Sequence, residues 1–429
     1  MSEHTPTAIV SGDLPAQDFV TADEAREQEW SNWGGNQSFT FTASARPTTD
    51  DDVVSVVRRA ADAGTGVRVA GSGHSFTPIV QTDHTLISLE SISGVTGTDA
   101  TTLRANVRAG TRLCDIGAPL WEAGLSLANQ GDIDAQSLAG AVATGTKGSG
   151  PSFGSLSSMV RTVRLVDGTG QIVDIAETDT ERLRAAQVSL GMLGVFLDLG
   201  IETLPAYKLR EHNAVLPFSE LRENWNRFLT DYRHFSFWWM PTAESSAMYD
   251  LGTVPQDHCV VKLLEQLPAD AEDVDADPGQ RTGRAHLIYP DATTEARFHE
   301  LEYMVPADRG VEALDVVRNL MLHKHTDQIS PVQIRWQKAD EGYLSAHYQR
   351  DTMSVSVSGQ VGTVYEPFLR ELDRELQRFD ARPHWGKIHF LTRDRVEALY
   401  PKYDEFQSIR KEFDPQGIFL NPHLRELFG

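Results

Sequence analysis

Residues 67–79, "VRVAGSGHSFTPI", decide how this chain is to be read. Val67, Arg68, Val69 and Ala70 predict a short strand. Gly71 and Gly73 then flank Ser72, and His74 stands at the tip of the loop. In such a loop successive backbone N–H groups point into one concavity, which suits a phosphate. A nicotinamide-binding βαβ unit would need G-x-G-x-x-G opening a helix. Phe76 occupies the place of the third glycine and Pro78 follows, so that reading fails. Nor does "GTKGSG" (145–150) have the spacing of a Walker loop.

Working outward, the N-terminal part alternates helix and strand. Thr49 is a helix N-cap candidate ahead of three aspartates, with Val53, Val54, Val57, Ala60 and Ala61 at helical spacing and a stop at Gly64. Residues 85–89 and 102–110 read as strands, 111–127 as a helix entering a strand, and 159–175 as a hairpin. After Pro205 the texture changes: residues 206–382 carry most of the aromatics, a long helix over 307–325 and the strand "PVQIRW" (331–336). The acidic stretch 267–283 reads as a mobile loop.

At 429 residues the chain suggests two domains, and 40% hydrophobic content is that of a soluble globular protein. No apolar run approaches the roughly 20 residues that span a bilayer, and residues 1–15 show no secretory pattern. Cys114 and Cys259 read as two reduced, buried thiols of a cytoplasmic protein. A formal charge of −22 argues against nucleic acid as partner. No obligate protein partner and no metal site are inferred.

Four motifs in order, "GSGHSF", "SLAGAVATGTKGSG" (137–150), "HWGK" (384–387) and "DPQGIFLNPHL" (414–424), resemble the aldonolactone and alditol oxidases of the vanillyl-alcohol-oxidase type. The resemblance implies an α+β fold: an FAD-binding domain of two subdomains, and a substrate domain whose antiparallel sheet covers the flavin. On it, residues 1–205 form the FAD domain, 206–390 the substrate domain, and 391–429 return to the first. It also implies FAD as cofactor, bound covalently through the His74 ring. A neutral imidazole is a nucleophile near neutral pH, which agrees. By the same match Gly71, Ser72, Gly73 and Ser75 cradle the pyrophosphate. Ser137, Gly140, Thr144, Gly145 and Gly148 line the second side of the cofactor, and Val195 sits where relatives hold the adenine end by backbone contacts. Lys147, where alditol oxidases have histidine, is expected to meet phosphate or solvent.

Gln333 and Arg335 are i, i+2 on one strand and share a face. In "PHWGKIHF" (383–390) Trp385, Lys387 and His389 read the same way. Arg335 and Lys387 match family cations beside the substrate hydroxyl, where positive charge stabilises a reducing flavin and an alcohol losing its proton. His384 is expected to act behind them. Relatives usually have glutamate at Gln333, while Asp132 stands where alditol oxidases have serine, as if a carboxylate had changed walls. The base stays open among Asp132, Lys387 and His389. Gly131 matches a position that gates oxygen, and its small size favours an oxidase.

The expected function is oxidation of a polyol or lactone carbinol, with hydride passing to FAD and O2 reduced to H2O2. The rivals are a dehydrogenase of the same fold and a non-catalytic flavin-binding protein.

Overall fold

The computed structural model describes residues 28–291 and 297–429; the stretch read for a secretory pattern lies outside the described residues. The first helix among the described residues is Asp50–Ala63. Thr49 accepts the Asp52 N–H, the Asp52 side chain answers at the Thr49 backbone, and Gly64 closes the helix at φ 64°. It buries Val53, Val54, Val56, Val57 and Ala60. The next strand, Val67–Ala70, pairs parallel with Thr85–Ser88, which pairs parallel with Ala43–Ala45.

A second sheet is antiparallel, in the order Ile172–Ile175, Val160–Val166, Val195–Glu202, Arg104–Arg108, Val95–Asp99. Its inner side chains, among them Val107, Val163, Leu165 and Leu199, share one core with Phe406, Phe413, Leu424 and Phe428 of the C-terminal helices. The last part of the chain therefore packs on the N-terminal core.

Among the described residues the largest sheet is antiparallel and nine-stranded. Its centre runs His258–Pro268, His234–Trp239, Val332–Gln337, Thr352–Gln360, Phe298–Pro306. Side chains alternate across a strand, and the register turns this alternation into two faces. Phe235, Phe237, Trp239, Ile334, Trp336, Val355 and Val357 face the helices Phe218–Asp231, Gly310–His323 and Glu366–Leu376. Burying each such side chain contributes roughly 1.5–3 kcal/mol. On the other face Gln333 is opposite Ser356, Arg335 is opposite Ser354 and Ser236, and Glu302 is opposite Ser356. That face is polar and packs toward the N-terminal half.

Three expectations are corrected. Residues 384–390 are not a strand, since pairing stops at Arg382–Pro383. His384 folds the chain into a turn instead, with its Nδ1 accepting the Gly386 N–H at 3.0 Å and its carbonyl the Lys387 N–H at 2.9 Å. The acidic stretch is tethered: Leu267 and Pro268 end a strand, Val274 bridges Thr282, and Gly279 N–H donates to Glu211. Cys259 is buried as expected, but Cys114 is exposed; both are free. No described helix is long and apolar enough to cross a membrane.

Candidate active site

A cleft of about 1330 Å³, its solvent mouth included, runs along the glycine loop. Gly71, Ser72, Gly73, His74 and Ser75 form one wall, and Ser137, Gly140 and Thr144 another. The loop and the opposite wall approach closely at Gly71, where a Cβ would stand 2.3 Å from Ser137 Oγ and the hydroxyl would have to rotate away. Ser72 Oγ donates to Ala135 O, and Thr144 Oγ1 to Gly140 O at 3.0 Å. Arg68, Glu90 and Arg112 also line the cleft and were missed in the sequence. Arg68 donates to the carbonyls of Leu190, Gly191 and Phe419, which joins three segments at the cleft floor.

Beyond the loop lies the polar face of the large sheet. Asp132 Oδ2 accepts from Gln333 Nε2 at 2.9 Å and from Arg335 Nη1 at 2.6 Å. Arg335 Nη2 reaches Glu302 Oε1 at 2.7 Å. That oxygen also accepts from Lys147 Nζ, which donates in addition to Ser354 Oγ at 3.0 Å. Lys387 and Ser356 both pair with Glu300. Asp132, Glu300 and Glu302 thus balance Lys147, Arg335 and Lys387. The two regions touch: Phe76 N–H donates to Gly386 O at 2.7 Å, and Lys387 Nζ lies 5.0 Å from the Phe76 ring centre.

Burial, then the Lys387 charge, pushes the His74 imidazole down to about 4. Burial works against charge on Asp132, but Arg335, Lys262 and the Gln333 hydrogen bond prevail and hold its carboxyl below the ordinary value. Glu302 is buried too, and Arg335 and Lys147 hold it well below. Burial and Arg335 bring Lys147 down to about 8 against the pull of Glu302.

Asp132, Gln333, Arg335 and Lys387 are therefore in one charged cluster. His389 is not: its ring meets Trp385 and His423, and the charges acting on it are those of His423 and Arg395. The turn at His384 is the reason, since it removes the strand alternation that placed His389 beside Lys387. Gly145 caps the helix Leu138–Thr144 and Gly148 packs on Gln130 O, and neither lines the cleft. Val195 points into the core while its neighbours Gly194 and Phe196 line the cleft. Lys147 meets neither phosphate nor solvent: its side chain is 0% exposed, within the cluster. Glu300, Glu302, Ser354 and Ser356 were missed, though the alternation in "HELEYMV" (299–305) and "SVSVS" (354–358) carried their signal.

The D-arabinono-1,4-lactone oxidase family pattern matches residues 199–268 and 283–427, and an FAD binding domain matches 41–176. The chain belongs to the D-arabinono-1,4-lactone oxidase family. It is 31% identical to an L-gulono-1,4-lactone dehydrogenase of Mycobacterium tuberculosis over 93% of this chain and 99% of that one. It is 29% identical to an alditol oxidase of Streptomyces sp. over 92% and 98%. The family's fold is recovered in cholesterol oxidase from B. sterolicum, with a TM-score of 0.81 and 16% identity over 97% of this chain and 99% of that chain. This member of the family is an FAD-dependent oxidoreductase, α+β, with an antiparallel sheet in its substrate domain.

Proposed function

We propose that the protein is an oxidase of a sugar-derived carbinol, an aldonolactone, alditol or related polyol, with O2 as electron acceptor. The observation that carries this reading is the Asp132–Gln333–Arg335 cluster next to a cleft whose glycine loop presents His74. The chemistry FAD supplies when bound is two-electron acceptance from the carbinol C–H, with the electrons leaving to O2 as H2O2.

Gly71, Ser72, Gly73 and Ser75, opposed by Ser137, Gly140 and Thr144, would hold the diphosphate. His74 would be the covalent anchor. Held near 4, its imidazole is neutral at neutral pH and keeps the lone pair such a bond requires. Arg335 and Lys387 orient the substrate oxygen and offset negative charge as it develops. Asp132 accepts a hydrogen bond from a substrate hydroxyl. Because its carboxyl is held low, it is a poor base. His389 stands apart, and Lys387, paired with Glu300, is the cation set beside the substrate hydroxyl.

A second reading, a dehydrogenase with another acceptor, is favoured by the name of the M. tuberculosis relative. Gly131 weighs against it, and the charged cluster weighs against a flavin-binding protein without catalysis. A panel of lactones, alditols and aldoses, assayed for peroxide with and without an artificial acceptor, tests the proposal. Peroxide with one panel member supports it. Turnover only with the artificial acceptor supports the dehydrogenase.

A further inference from the structure

Three departures from the resembled pattern, Asp132, Lys147 and Gln333, converge on one side chain, Arg335. With glutamine at 333, Arg335 has no carboxylate across one residue of its own strand. Its guanidinium is instead held from two sides, by Asp132 on a loop of the N-terminal half and by Glu302 on the strand Phe298–Pro306. Glu302 uses one oxygen, Oε1, for both Arg335 and Lys147.

We infer that Lys147 and Glu302 form a buried positioning couple that fixes Arg335 and ties the cofactor-cleft segment to the substrate sheet. The inference rests on Arg335 facing substrate as proposed above. Lys147 follows the helix Leu138–Thr144, whose Gly140 and Thr144 line the cleft. The segment after it is pinned to the sheet, since Gln337 Nε2 donates to Gly148 O at 2.8 Å and Gly150 pairs with Gln337. From that anchorage the lysine reaches across to Glu302 and Ser354, on strands of the other half. Glu302 is 1% exposed and Lys147 0%, so the pair is shielded from bulk water. A buried carboxylate between two cations has one orientation; with one cation removed it can turn, and the Arg335 fork turns with it. Removal of Lys147 also leaves Asp132, Glu300 and Glu302 against Arg335 and Lys387, with Lys262 and Asp291 cancelling each other, one negative charge in excess. Other groups whose charges bear on Lys147 are Asp132, Arg335, His347 and His384. The two histidines are held neutral by burial, so they add no compensating charge near neutral pH.

The test is Lys147→Met, with Lys147→Arg as the conservative variant and Arg335→Ala as the background. Flavin content and thermal unfolding are measured alongside the rate. Lys147→Met should keep its flavin and lower the limiting rate of flavin reduction tenfold or more with KM changed less than threefold. Lys147→Arg should recover the rate to within about threefold. In Arg335→Ala the Lys147→Met change should cost less than twofold further. If Lys147→Met does not fold, Lys147→Gln, which keeps a hydrogen bond to Glu302 but drops the charge, takes its place. A rate within twofold of wild type, or an equal loss in the Arg335→Ala background, overturns the couple. Should the wild type oxidise no carbinol, the proposed function fails separately. The couple is then judged by the unfolding cycle, where non-additive Lys147→Met and Arg335→Ala support it and additive effects overturn it.

Discussion

Asp132 and Arg335, 203 residues apart in sequence, form an ion pair of 2.6 Å between a loop of the cofactor half and a strand of the substrate sheet. The same carboxylate oxygen accepts from Gln333, two residues before Arg335 on that strand. The negative partner that the resemblance places on the strand stands here on the loop. A neutral amide at 333 is what that arrangement needs, because a second carboxylate would face the first.

Gln333→Glu is therefore expected to lower the flavin-reduction rate at least about tenfold, or about 1.4 kcal/mol. Adding Asp132→Ser removes the repulsion and should restore much of the loss. A double-mutant cycle by stopped-flow should show a coupling of about 1–3 kcal/mol. Additive single effects would mean that the two residues act independently.

For His74, denatured protein should keep its yellow colour and its flavin fluorescence on a denaturing gel. His74→Ala should fold and bind FAD only reversibly. Release of all flavin from denatured wild type would remove the covalent anchor.

Gly131→Ala tests oxygen access. An added Cβ would lie 3.2 Å from the Thr146 methyl and 3.4 Å from Ile133 O, so neighbours must move only a few tenths of an ångström and the fold should hold. Reoxidation by O2 should slow while reduction by substrate stays nearly unchanged. Equal reoxidation rates would end the argument from this glycine.

Much of this was legible in the sequence, and for local reasons. The helix Asp50–Ala63 carries its own cap, and Gln333 and Arg335 share a face because their strand is regular. The strand reading of residues 383–390 failed because the His384 ring nitrogen accepts the Gly386 N–H and closes a turn, which strand periodicity does not register. Glu300 and Glu302 alternate like residues on a solvent-facing strand, and only the packing of the other half against that face buries them. Lys147 sits in a glycine-rich loop, and its partner lies 155 residues away on another sheet. No spacing rule reports such a contact.

Buried histidines give a pH dependence of stability. Burial holds His74 at about 4 and His234, His347, His384 and His389 at about 3, against 6.5 when unfolded. The folded-state values are lowered, so from pH 6.5 downward the unfolded chain takes up protons that the folded chain refuses. Stability should then fall with falling pH, by up to about 1.4 kcal/mol per pH unit for each histidine. Asp340, raised by burial to about 6, opposes this, as do Asp134, Asp198, Asp291 and Asp414, which burial also raises. Denaturant titrations at pH 7, 6 and 5.5 should show the midpoint falling at each step. A midpoint that rises would mean these rings are charged in the fold.

The most direct measurement is anaerobic mixing of the purified yellow protein with individual lactones and alditols, followed by admission of O2. The flavin absorbance should bleach with at least one of them. It should then return on oxygenation, with one H2O2 formed per substrate consumed. Failure of every lactone and alditol to bleach the flavin would contradict the assignment of a sugar-derived carbinol, and bleaching that O2 does not reverse would contradict the oxidase.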